Sequence, residues 1–137
     1  MKWAFDPIEV DEWLLTEPLP LGYSEANQSF QLHHFIYDIK DKPNTHKLVL
    51  RWEYIISKEN QTSEYCRLIA EQSFIVAFDD KDNNLEQLSN LVGTSHAHLE
   101  GEFNKRKKEA GLSLTFLPAM DDKAAGRQIL QDFQNKG

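Results

Sequence analysis

The sequence predicts an α+β fold: an antiparallel β-meander of three to four strands, then a long kinked helix and a C-terminal helix packed on one face. Three observations predict it. Apolar residues recur at every second position between residues 29 and 78, and with helical spacing from Leu85 onward. The breaks between the alternating runs are too short for parallel crossovers, which need about a dozen residues or more. Strands also precede helices, the order of a sheet with helices gathered on one side. At 137 residues the chain is expected to form a single domain over 1–137. Its parts are an N-terminal helix and extended connector (1–22), an antiparallel sheet (29–78) and a helical part (84–134).

Asp6-Pro7-Ile8-Glu9 has the pattern of a helix start, with Asp as N-cap, Pro at the first helical position and Glu three residues after the cap. A short helix is expected to reach about Leu15, using Ile8, Trp13 and Leu14 as apolar contacts. It ends before Pro18, because the residue ahead of a proline avoids the α region. Residues 18–22 then form an extended connector.

Over residues 30–39 the first half is mixed and the second half is apolar on both faces. Asp41-Lys42-Pro43-Asn44 is a turn. In the next run Leu48, Leu50, Trp52, Tyr54 and Ile56 share a face opposite Arg51 and Glu53, which predicts a half-solvated strand. Residues 58–63 make a polar hairpin loop. A third run, 64–78, turns Cys66, Leu68, Ala70, Phe74, Val76 and Phe78 one way and Arg67, Glu71 and Ser73 the other. A bulge or break is expected near Glu71-Gln72.

Residues 79–84 are a turn leading into a helix. Leu85, Leu88, Val92, Leu99 and Phe103 form its apolar stripe. Gly93 and Gly101 interrupt that stripe, each costing roughly 1 kcal/mol relative to Ala, and a kink is expected near Gly93. Gly111 is a natural stop. Residues 112–117 alternate briefly before Pro118. Asp121 or Asp122 caps a last helix whose apolar side is Ala125, Ile129, Leu130 and Phe133.

Lys plus Arg number 15 and Asp plus Glu 22, so the formal charge is 15 − 22 = −7. Such a chain repels phosphate backbones, and no nucleic-acid partner is expected. With no long apolar run and a mean hydropathy of −0.58, no membrane insertion is expected. The N-terminus lacks the apolar region of a signal peptide and Cys66 has no second cysteine to pair with, which together predict a cytoplasmic protein.

Candidate chemistry centres on His96, His98 and Glu102. An H-x-H pair on a strand could grip one metal, but on a helix the two rings diverge by about 200°. His98 and Glu102, four apart, remain neighbours. His33 and His34 point to opposite faces of a strand, and His46 sits in a turn. Cys66 reads as a small buried apolar residue rather than a nucleophile, since no cationic group on its own face lowers its pKa. Residues 79–84 imitate the start of a calcium loop but lack its glycine and its acidic twelfth position, occupied by Asn90. Lys105-Arg106-Lys107-Lys108 complements a helix C-terminus. No phosphate loop, G-x-S-x-G or paired-carboxylate pattern occurs, so neither catalysis nor a cofactor or metal is expected.

The succession of Leu88, Val92 and Ser95 into Gly101-Glu102-Phe103, then Gly111 and Leu117-Pro118-Ala119-Met120, resembles the SecB-like export-chaperone superfamily. The likeness spans residues 29–133 as pattern. It departs from the family in showing three clear strands where the family has four, and residues 3–15 have no counterpart. The resemblance implies a holdase without cofactor or ATP, concerned with protein transport. Such a protein captures extended apolar segments of unfolded clients in a groove between sheet and helix, commonly as an oligomer. Trp52, Tyr54, Phe74, Phe116 and Met120 are the candidate client-binding residues, with plain core packing as their other reading. Two alternatives stay open: a dedicated acidic interaction protein (an immunity protein, antitoxin or adaptor), and a metal-dependent enzyme built on His96, His98 and Glu102.

Overall fold

A computed structural model describes residues 1–15, 28–57, 64–79, 83–109 and 117–135. Five strands come first: β1 (Lys2–Phe5), β2 (Glu9–Leu15), β3 (Gln28–Asp38), β4 (Thr45–Ser57) and β5 (Glu64–Ala77). Two helices follow, α1 (Asn84–Glu109) and α2 (Asp122–Asn135). Every pairing is antiparallel. β3, β4 and β5 form the meander, and β1 and β2 lie end to end along the far flank of β5. The α+β class therefore stands as the two hydrophobic periods predict.

The N-terminal segment is a correction. Residues 6–15, expected as a helix, supply β2, and β1 precedes it. The physical reason is a β-bulge: Val10 pairs with Ala70 and Glu12 with Ile69, leaving Asp11 as an extra residue. That insertion converts the two-residue spacing of a strand into a three-residue step from Val10 to Trp13, which imitates a helix. Pro7 lies between the two strands, where its missing N–H breaks no ladder bond, and the N–H of Asp6 still donates to the Ser73 carbonyl at 3.0 Å.

β5 itself runs 14 residues without a gap. The break expected near Glu71-Gln72 belongs to its neighbours, since β1 pairs with residues 74–77 and β2 with residues 66–71. The Arg67 guanidinium grips both oxygens of Glu64 at 2.7 Å and reaches Glu12 at 3.3 Å, tying β2 to β5.

The helices cover one sheet face. Leu48, Leu50, Trp52, Tyr54 and Ile56 of β4 and Leu68, Phe74 and Val76 of β5 are sealed beneath Leu88, Leu91, Val92, Leu99 and Phe103 of α1 and Ile129 of α2. Each such side chain contributes about 1.5–3 kcal/mol relative to exposure. Helix α1 continues for 26 residues through Gly93 and Gly101.

The two helices meet at glycines. A Cβ at Gly126 would stand 2.7 Å from Ser89 Oγ and 3.0 Å from Ser89 N, and one at Gly93 would stand 2.8 Å from Asp122 Oδ2. The N-cap of α2 is Asp121, whose Oδ1 accepts the Ala124 N–H at 3.0 Å. The expected connector at 18–22, the hairpin loop at 58–63, the stop at Gly111 and the alternation over 112–116 lie outside the described residues. Among the described residues no helix is long and apolar enough to cross a membrane.

Candidate functional site

The aromatic residues singled out in the sequence lie at the sheet–helix boundary because alternation places them on the face that α1 covers. Trp52, Tyr54 and Phe74 are 0 % exposed. The Trp52 indole N–H donates to Ser95 Oγ at 2.8 Å, and its ring stacks on Phe30 at 5.6 Å. The Tyr54 hydroxyl donates to Gln28 Oε1 at 2.7 Å, with its ring edge-on to Phe103. Phe74 lies among Trp3 and Phe5. Met120 is half-buried against the same core, and Phe116 lies outside the described residues.

These rings form a floor, and the accessible rim is elsewhere. Along the β1–β2 flank, Trp3, Phe5 and Trp13 project from the sheet edge toward α1. Phe5 is 49 % exposed, with its ring 4.9 Å from that of His98. The half-buried Trp13 meets Phe103 edge-on at 6.1 Å and lies 6.0 Å from the Arg106 guanidinium. Between them, opposite the gap separating β1 from β2, the buried Gln72 amide donates to the Asp6 carbonyl at 2.9 Å and to His98 Nδ1 at 2.8 Å. The result is a seam of incompletely covered aromatics over a polar bridge. Sequence reasoning missed Trp13 as a seam residue because it placed residues 6–15 in a helix, and it assigned Phe5, just ahead of that helix, to no element.

The histidines do not converge. His96 donates from Nε2 to the Pro118 carbonyl at 2.9 Å and packs against Trp52. His98 turns to Gln72, while Glu102 faces Arg106 at 3.7 Å. His33 approaches Glu53 at 3.4 Å, His34 hydrogen-bonds Asp132, and His46 meets Asp38 at 3.1 Å between Phe78 and Phe133. Among the described residues no three His, Cys, Asp or Glu side chains are placed to hold a metal ion.

Cys66 is fully buried, and desolvation, reinforced by the Glu64 charge, pushes its thiol up to about 12. Such a thiol is a poor nucleophile at neutral pH. Asp79 of the calcium-like stretch accepts the Met1 amino group at 2.9 Å. Of the basic quartet, Lys107 is buried with its ammonium 5.7 Å from the Phe103 ring, so part of that charge serves packing. A depression of about 960 Å³ beside the α1–α2 crossing is lined in part by Leu85, Ser89, Thr94 and Asp122.

No protein-family model and no curated protein matches the chain by sequence. A solved structure of another protein shares its fold. A protein of unknown function from Streptococcus agalactiae superposes with a TM-score of 0.50 at 11 % identity, over 87 % of this chain and 98 % of that one. A SecB-like chaperone from Mycobacterium tuberculosis, in complex with a ChAD peptide from the HigA1 antitoxin, gives a TM-score of 0.49 at 7 % identity, over 86 % of this chain and 90 % of that one.

Proposed function

We propose that the chain is a non-catalytic, ATP-independent protein-binding module of the SecB-like kind, acting in the cytoplasm. It holds an apolar segment of an unfolded or partner polypeptide against its folded platform. The observation that carries this reading is the seam itself: Trp3, Phe5 and Trp13 stand beside α1, Phe5 about half exposed and the two tryptophans half-buried.

Covering the open half of a ring such as Phe5 contributes on the order of 1 kcal/mol. Three rings therefore give a weak, reversible grip suited to transient capture. Trp52, Tyr54 and Phe74 form the floor beneath it, Met120 packs against the same core, and Phe116 is assigned to client contact with them. A charge of −7 favours clients carrying basic residues and keeps an apolar surface dispersed.

A second reading, a dedicated binder of one basic partner, is favoured by that same charge. Aggregation of several unrelated unfolded proteins, followed by light scattering without nucleotide, separates the two. General suppression that weakens in Phe5→Asp, with the circular dichroism unchanged, supports the capture reading. Failure with every client, together with one stoichiometric partner copurifying from the native cell, supports the dedicated binder instead.

A further inference from the structure

β1 and β2 are joined by Asp6-Pro7-Ile8, which makes no ladder pair with β5. The register of β1 ends at Phe5 opposite Phe74, and that of β2 begins at Glu9 opposite Glu71. Among the described residues two hydrogen bonds tie this junction to β5. The Asp6 N–H donates to the Ser73 carbonyl at 3.0 Å, and the Gln72 side-chain amide donates to the Asp6 carbonyl at 2.9 Å. Pro7 has no N–H with which to add a third.

The second bond fixes the state of His98. The Asp6 carbonyl can only accept, so the atom of Gln72 that faces it is the amide nitrogen. The same nitrogen stands 2.8 Å from His98 Nδ1, which therefore accepts the other amide hydrogen. His98 is then neutral, with its own proton on Nε2. Gln72 is 1 % exposed and its Oε1 is buried without a partner among the described residues, so the two bonds from its nitrogen are all that orient the amide.

Protonation of His98 puts a hydrogen on Nδ1, donor against donor. Turning the amide over would offer Oε1 to that hydrogen, but it would also set the oxygen against the Asp6 carbonyl, acceptor against acceptor. No orientation of Gln72 serves an imidazolium and Asp6 together, and a buried polar group left unpaired is costly. His98 is half-buried, so it is open to solvent protons, and histidine is the side chain whose ordinary charge change falls between about pH 5 and 8.

The elements packed about His98 bring few other charges. β5 turns Ala70, Gln72 and Phe74 toward the helices, and β1 turns Trp3 and Phe5. Glu9 of β2 stands in register with Glu71 on the outer face, away from the helices. On α1, Glu102 faces Arg106 at 3.7 Å, and Asp6 at the junction carries an exposed carboxylate.

We propose that His98 and Gln72 form a proton-sensitive latch on the seam. Neutral His98 holds Gln72 on the Asp6 carbonyl and keeps the β1–β2 junction closed; protonated His98 releases it. The released junction keeps one of its two bonds, Phe5 moves with it, and more of the apolar floor at Phe74 is open to a client. Capture is thereby stronger in mild acid than at neutral pH. This regulation rests on the seam being the capture site, whereas the latch itself does not.

Acrylamide quenching of tryptophan fluorescence, followed on the full chain from about pH 7.5 to about pH 5.5, tests the latch without a client. Trp3 and Trp13 flank the junction, while Trp52 is fully buried and contributes little. Quenching is expected to rise in the parent as the pH falls. His98→Asn keeps an acceptor oxygen near the place of Nδ1 and cannot be protonated, so it is expected to stay at the low, closed level throughout. His33, His34, His46 and His96 are present in both proteins, so the difference isolates His98. Gln72→Met removes the tie and is expected to hold the high, open level at either pH. Quenching that rises equally in the parent and His98→Asn, or in neither, overturns the latch.

Binding of a dye-labelled, permanently unfolded apolar polypeptide, read by fluorescence anisotropy at the same two pH values, tests the regulation. The parent is expected to bind more tightly in acid, and His98→Asn to lack that gain. A gain that survives in His98→Asn overturns the regulation. A quenching switch with no binding at either pH would refute the capture reading and leave the latch in place.

Discussion

The same substitution, Gly→Ala, is expected to change stability in opposite directions at two helical glycines. In an open helix interior, Ala is favoured over Gly by about 0.8–1.0 kcal/mol. Gly101 is exposed on α1, with nothing within 4 Å of an added Cβ, so Gly101→Ala should gain that full amount. Gly126 is buried on α2, where the added Cβ would stand 3.0 Å from Ser89 N and 3.2 Å from Ser89 Cα. Those are backbone atoms of a packed helix and cannot swing aside. Overpacking of this kind costs about 1–3 kcal/mol, so after the propensity gain Gly126→Ala should lose about 1 kcal/mol.

Gly93→Ala falls between them, because its nearest neighbour is the end of the Asp122 side chain at 2.8 Å, which can rotate away. At ~2.1 cal/mol/K per residue, 137 residues give an unfolding entropy near 0.29 kcal/mol/K, and each kcal/mol shifts Tm by about 3–4 °C. Thermal melts followed by circular dichroism should therefore show Gly101→Ala about 3 °C above the parent and Gly126→Ala about 3 °C below it. If Gly126→Ala gains as much as Gly101→Ala, the α1–α2 crossing is not where the structure places it.

Two further outcomes follow from buried groups. Ser95→Ala strands the Trp52 indole N–H in the core, a loss of about 1–3 kcal/mol less a few tenths recovered in helix propensity. Urea unfolding should show that loss in the parent and almost none of it once Trp52→Phe is in place; equal losses in both backgrounds contradict the hydrogen bond. Cys66 should resist alkylation at pH 8 until the chain is unfolded, and rapid labelling of native protein would show that the core opens there. Because burial pushes the native thiol up to about 12 from an ordinary value of 9.0, Cys66 should add no pH dependence to folding stability well below pH 9. Stability should then fall by up to ~1.4 kcal/mol per pH unit toward pH 12.

Regular patterning made much of this fold legible. Leu48, Leu50, Trp52, Tyr54 and Ile56 alternate without interruption, and β4 covers them as expected. Asp121 and the Leu88, Val92, Leu99 stripe located both helices. The N-terminal strands were not legible because the bulge at Asp11 and the proline at position 7 together reproduce a capped amphipathic helix.

Surfaces were harder to see. Alternation tells which side chains share a face but not which face the helices will cover, so the buried Trp52, Tyr54 and Phe74 stood out while Phe5 and Trp13 did not. One signal was present: residues 35–37 are apolar on both faces, as are residues 74–76, and the exposed members of those runs lie on the outer sheet face. The histidine pair at 96 and 98 looked like chemistry in the sequence, yet each ring serves a separate structural bond.

Amide hydrogen exchange on the chain, with and without an excess of a permanently unfolded apolar polypeptide, probes most directly whether partners are held at the β1–β2 flank. The account predicts slower exchange in β1, in β2 and in α1 around His98 to Arg106, with no nucleotide added and the outer-face strand β3 unaffected. Unchanged rates throughout, or protection confined to β3, would contradict it.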